Sequence, residues 1–220
     1  MLYPSQRRTQ GRWFRFGVAM LAVAGCGLID PNITAIGFDL PMRSYEFNTD
    51  GVDLPDNSVA IPCATNTECV TSPFVCEAGL CTAVVTVSQG TMMNLGQEAP
   101  ELNSVTGSVD ISVDRINHAV TTNTLNIDLP PIDLYLAPAG VNDPMGGLLF
   151  GTVPAVPAGQ TASGLVVLDE NASTVFKHFT RDVTVPFTFI ASTTVKIASG
   201  AGVPNGRIVF SVSGRLSASL

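Results

Sequence analysis

Cys63, Cys69, Cys76 and Cys81 are the residues whose type and spacing most directly specify chemistry in this chain. Four thiols in so short a stretch either close disulfides or hold a metal ion. Zinc sites draw on C-x2–4-C pairs with a second pair some way off. Here the gaps are five, six and four residues; the first two are too long and the last has no second pair of that kind to join it, so no metal is expected. In an oxidising compartment the expectation is two disulfides. Three pairings are possible, and spacing alone selects none of them. The segment has little apolar mass of its own, so each bridge should contribute about 2–4 kcal/mol.

Other reactive groups are sparse. The histidines are His118 and His178, and neither has a cysteine or second histidine at ligand spacing. His118 is expected on the surface, in a hairpin turn after a strand from Ser104 to Ile116. His178 is expected on the surface beside Lys177. No G-x-S-x-G elbow, phosphate loop or dinucleotide fingerprint occurs. Asp128 and Asp133 flank Leu-Pro-Pro-Ile, and Asp169-Glu170 precede Asn171. Paired carboxylates can do acid–base work or bind calcium, but at strand ends and turns Asp is common for backbone reasons. Asn32-Ile-Thr34 and Asn171-Ala-Ser173 match the N-glycosylation pattern. The expectation is no enzyme, no catalytic residue and no cofactor.

The N-terminus carries a different chemistry. Arg7, Arg8, Arg12 and Arg15 precede the apolar run Phe16 to Ala24, and Val23-Ala24-Gly25-Cys26 closes it. A basic region, a short apolar run and small residues before a cut are the parts of a secretory signal. The run is under half of the roughly 20 residues that a spanning helix needs. Val23-Ala24-Gly25-Cys26 resembles the lipobox of bacterial lipoproteins. The resemblance implies that Cys26 is lipidated and becomes the mature N-terminus. Gly27 stands where the family's inner-membrane retention signal has Asp, which points to a lipid anchor in the outer membrane, on its periplasmic side or at the cell surface. The four later cysteines look like a small cysteine-rich module of the EGF-like sort. That resemblance favours the interlocked pairing, Cys63 with Cys76 and Cys69 with Cys81.

Four of the 11 basic residues precede Cys26 and all 18 acidic ones follow it, so the 195 residues from Cys26 onward carry a formal charge of −11. Such a surface repels nucleic acid and anionic headgroups. Membrane attachment would come from the lipid.

Most of the chain alternates with the period of strands, which puts apolar residues on one face. Val109, Ile111 and Val113 alternate with Ser108, Asp110 and Ser112. The pattern returns at Leu125, Ile127, Leu129, at Ile132, Leu134, Leu136, at Val183, Val185, Phe187, Phe189, at Val195, Ile197, and at Ile208, Phe210, Val212. Leu165 to Leu168 reads as a strand covered on both faces, residues 90 to 103 as an exposed loop, and Ile33 to Phe47 as strands joining the later sheet. Asn171 or Ser173 could cap a short helix, but a loop plugging the core with Phe176 and Phe179 is the preferred reading. Gly/Pro/Asn punctuation between many short runs indicates an antiparallel sandwich. The fold class expected is all-β, an antiparallel immunoglobulin-like sandwich of about seven to nine strands with a small disulfide-rich insertion. The expected divisions are a signal peptide at 1–25, N-terminal strands with the disulfide-rich segment at 26–82, and the sandwich at 83–220. Asn123-Thr-Leu-Asn-Ile-Asp-Leu and Gly151 to Gly159 are similar to the strand-and-proline rhythm of late-embryogenesis-abundant type 2 domains.

The expected function is that of an envelope lipoprotein with a non-catalytic binding, adhesion or structural role. Its partners would be the membrane, through the anchor, and a protein or polysaccharide of the envelope, with no nucleic acid. The alternative is a periplasmic carrier holding a lipid between the sheets, lined by Leu148, Leu149, Phe150, Phe176 and Phe179.

Overall fold

Two antiparallel sheets face each other, as the period-two patterning requires. The computed structural model describes residues 36–49, 59–70, 74–100, 102 and 110–219, which belong to one compact unit beginning at Thr34. Cys26 and the segments before it lie outside the described residues, as do Ser108 and Val109. Ten strands are present among the described residues: β1 (Ile36–Asn48), β2 (Phe74–Glu77), β3 (Leu80–Met93), β4 (Asp110–Asn123), β5 (Ile132–Pro138), β6 (Leu148–Val153), β7 (Ala162–Leu165), β8 (Val167–Leu168), β9 (Phe187–Ala198) and β10 (Arg207–Ser219). One sheet has the order β1-β10-β4-β7 and the other β2-β3-β9-β5-β6-β8. This is the all-β, immunoglobulin-like sandwich architecture, with the disulfide-rich segment inserted between β1 and the body of β3. The strand count exceeds the expected seven to nine because β2, β7 and β8 are short edge pieces.

The inward set follows the alternation until a bulge shifts it. In β4, Ile111 is buried and Val113 packs on the core, and then the inward parity moves to Ile116, His118 and Val120. Pairing to β10 shifts between Arg215 and Leu216, where an extra β4 residue is accommodated. His118 therefore lies in mid-strand and is 6% exposed, not in a surface turn. In β1, a register shift between Leu40 and Arg43 has the same effect. Phe38 and Leu40 point inward on one side of it, Tyr45 and Phe47 on the other. Tyr45 stacks on Phe210 at 5.1 Å between centroids, and burial pushes its hydroxyl pKa up to about 12.

Several local expectations are corrected. Leu165 to Leu168 is not covered on both faces: Val166 alone is buried, and the chain passes from β7 in one sheet to β8 in the other. Leu165, Val167 and Leu168 are exposed because each lies on a strand with a neighbour on one side only. Leu125 to Leu129 is not a strand, and Leu129 makes only an isolated bridge to Val156. The described residues of the stretch from 90 to 103 are no exposed loop. β3 runs to Met93, the short helix α1 (Leu95–Glu98) follows, and Leu95, Ala99 and Leu102 are buried. The stretch after Asn171 is a helix, α2 (Ala172–Thr180), which lays Val175 and Phe176 on the core. Its amphipathic spacing outweighs the β-branched residues within it. Val185 is exposed, since β9 starts only after Pro186, and Val183 packs partly on the core.

Candidate functional site

The cysteines form two interlocked disulfides, Cys63–Cys76 and Cys69–Cys81, with Cα–Cα distances of 5.8 and 5.5 Å. β2 and β3 form a hairpin closed by Ala78 and Gly79, both at positive φ (52° and 82°), the signature of a tight two-residue turn. The turn places Cys76 opposite Cys81. The segment 61–63, bridged at Pro62 to Leu80, is stitched alongside by Cys63 N–H to the Gly79 carbonyl and Cys81 N–H to the Ile61 carbonyl. Cys81 is buried in β3, so the knob grows directly from a sandwich strand. Among the described residues, Cys63, Cys69 and Cys81 are the one group of three whose ligand atoms could meet around an ion, and all three sulfurs are engaged in disulfides.

The histidines do not meet. His178 lies exposed on α2, edge-on to Phe179. His118 has a buried Nδ1 without a partner and a hydrogen bond with the Leu165 backbone. Desolvation lowers its pKa, against the smaller upward pull of that bond. The carboxylates take turn duties: Asp128 accepts from the Ala158 N–H and Asp169 from the Asn171 N–H. Asn171 is the N-cap residue of α2, without a side-chain capping bond.

Among the described residues, the space between the sheets is packed with side chains. Phe150 packs on Phe176 at 5.9 Å and on Phe189 at 6.1 Å. The gap left beside them, bordered by Leu40, Met93 and Ile116, is about 30 Å³, room for one or two waters. A second gap, of about 90 Å³, lies between Phe47, Val87, Leu125 and Ile197. Ligand pockets are commonly 300–1,000 Å³. Leu148 and Leu149 lie outside, exposed at the start of β6. Arg43 also borders the smaller gap and is paired with Glu98 of α1.

The larger depression is on the outer face of the six-stranded sheet, about 840 Å³ in volume. Register puts Thr86 of β3, Ser192 and Thr194 of β9, Asp133 and Tyr135 of β5 and Thr152 of β6 on that face. The Thr152 hydroxyl donates to Asp133 Oδ1 at 2.9 Å, and the Thr86 and Thr194 hydroxyls are 3.0 Å apart. One wall is the loop after β5, which folds back over the sheet. Its Gly140 N–H donates to the Thr188 hydroxyl at 3.0 Å. The loop comes so close to β3 that a Cβ on Gly90 would clash with the Asn142 side chain. This cover buries Thr188 and Ile190, so β9 is enclosed on both faces there. At the tip of the loop, Asp143 accepts from the Met145 N–H at 2.9 Å, and Met145 stands 94% exposed. The opposite wall is Pro130-Pro131, whose Pro131 carbonyl accepts from the Thr193 hydroxyl at 3.0 Å. Partial burial and then the Asp133 carboxylate raise the Tyr135 pKa, which keeps the phenol protonated. Sequence reading missed this site, because its residues look like any solvated strand face.

No family model and no curated protein matches the chain. Among solved structures, one of Desmodium yellow mottle tymovirus is 10% identical, with 84% of this chain and 90% of that chain covered and a TM-score of 0.25. One of infectious bursal disease virus, Gt strain, is 12% identical, covering 84% and 32%, with a TM-score of 0.28. Another, of carbohydrate-binding modules from the β-sandwich superfamily, is 11% identical, covering 81% and 54%, with a TM-score of 0.27. The chain thus spans about a third of the bursal virus chain and about half of the binding-module chain. Likeness at these scores carries no functional argument. Among the described residues, no helix is long and apolar enough to cross a membrane.

Proposed function

We infer that this chain is a lipid-anchored protein of the bacterial outer membrane that binds an envelope component without catalysing a reaction. The anchor reading rests on Val23-Ala24-Gly25-Cys26 after a basic and apolar leader. The binding reading rests on one observation: the roomy concavity lies on the outer sheet face, and the space between the sheets is packed with aromatic side chains. That packing favours a surface binder over a lipid carrier. The two disulfides suit an extracytoplasmic location.

Two experiments test this reading. Acyl labelling of cells should tag the wild-type chain, and globomycin should leave an unprocessed precursor. A labelled Cys26→Ser protein would overturn the anchor. Purified protein should cosediment with isolated envelope fragments in a saturable way, and failure to do so would overturn the binding role.

A further inference from the structure

We propose that the groove on the outer face of the six-stranded sheet binds an uncharged polysaccharide chain. This deepens the binding role inferred above and rests on it. The groove lies on the face of a sheet, where backbone N–H and C=O groups are spent in the ladders of β3, β9, β5 and β6. A peptide strand would dock at an edge, where backbone groups are free. What this face offers is side chains: the hydroxyls of Thr86, Thr152 and Thr194, the Asp133 carboxylate and the Tyr135 ring. A sugar presents the complement, hydroxyls around its rim and polarised C–H groups on its faces. The C–H face suits the electron-rich face of an aromatic ring, and a carboxylate accepts strongly from a hydroxyl pair.

Charge and shape narrow the class further. Asp133 and the −11 charge of the chain after Cys26 disfavour phosphate- or carboxylate-bearing polymers. Lys196, which borders the depression next to the groove, is already paired with Glu77 at 2.6 Å. The four strands span about 14 Å, from a strand spacing of about 4.8 Å. A neighbouring depression of about 430 Å³, bordered by Asp128, Ala198 and Gly202, shares Pro130 and Thr194 with the groove. The two meet at these residues and together make a trough longer than either, which fits a polymer better than a single sugar. Met145, held out on its capped turn, supplies an apolar side wall next to Tyr135.

The test is calorimetric titration of the intact, detergent-purified protein with cellohexaose, xylohexaose and maltohexaose. The expected result is saturable binding of at least one of them. Tyr135→Ala should weaken it at least about tenfold, and Tyr135→Phe should leave it nearly unchanged because the ring remains. Thr194→Arg, at an exposed position, should abolish binding by blocking the trough while leaving the thermal melt near that of the wild type. Met42→Ala, on the other sheet, should have no effect. Absence of binding to all three sugars would overturn the proposal, as would unchanged affinity in both Tyr135→Ala and Thr194→Arg. If the protein still cosediments with envelope fragments in that case, the wider binding role stands and only the glycan assignment falls.

Discussion

The space between the two sheets and the trough outside the larger one are lined by the same strands, yet they are opposites. Inside, β5 turns Ile132, Leu134 and Leu136 into a core so tight that gaps of about 30 and 90 Å³ remain. Outside, the same strand presents Asp133 and Tyr135 to an open concavity of about 840 Å³. One strand thus serves stability with alternate residues and, under the proposed binding role, recognition with those between them. The contrast teaches that in this sandwich the inner face carries stability and the outer face is free to specialise.

That division can be broken from the inside with the largest effect. Phe187→Ala should cost about 3–5 kcal/mol through lost burial and a cavity, a large share of the roughly 5–15 kcal/mol that holds such a domain. Urea denaturation reads it, and a loss under about 1 kcal/mol would mean that the core relaxes around the gap.

The knob sharpens the contrast, because it is held differently. Its short helical turn, Asn66–Glu68, buries no residue, and Val70 is 91% exposed. Opening Cys63–Cys76 by paired serine substitution should remove about 2–4 kcal/mol of local constraint. Limited proteolysis should then cut within residues 59–77 while β3 to β10 remain resistant. Cleavage spreading through the sandwich would show that the knob supports the body.

A pH measurement probes the core at a single hydroxyl. Tyr45 has its pKa raised to about 12 by burial, from 10.0 when exposed. Its contribution is fully present below pH 10 and is lost as pH rises through the folded value near 12. The loss should reach about 2–3 kcal/mol. Tyr45→Phe should flatten that part of the stability curve, and an unchanged slope would place its origin elsewhere.

The smallest effects belong outside. Tyr135→Ala and Asp110→Ala should each change stability by about 0.5 kcal/mol or less, although Lys177 pairs with Asp110 at 2.9 Å, since exposed ion pairs contribute little. Thermal melts monitored by circular dichroism check both. A large loss in Tyr135→Ala would make the trough a structural feature.

Alternation was legible wherever one face is buried and the strand is regular. Ile132, Leu134, Leu136 and Ile208, Phe210, Val212 point inward as their spacing says. It failed where an extra residue bulges, because a shift of one reverses every side chain beyond it. His118 is buried for that reason. So is the inward turn of Arg43, whose partner Glu98 lies 55 residues away. Phe187 and Phe189 of β9 also point inward as read, but the burial of Thr188 and Ile190 between and beside them was not foreseen, because a distant loop covers that second face. The paired disulfides were legible as chemistry, and their crossing came through the EGF-like resemblance. The trough was not legible, since Thr86, Asp133, Thr152 and Thr194 meet only through long-range register.

Mapping amide chemical shifts while titrating one sample with laurate and another with a binding hexasaccharide tests the division most directly. The sugar should perturb Tyr135, Thr152 and Thr194 and leave Phe150, Phe189 and Val212 unmoved, and laurate should cause no saturable change. Saturable laurate shifts at Phe150 and Phe189, with the outer face silent to the sugar, would contradict the account and return the ligand to the space between the sheets.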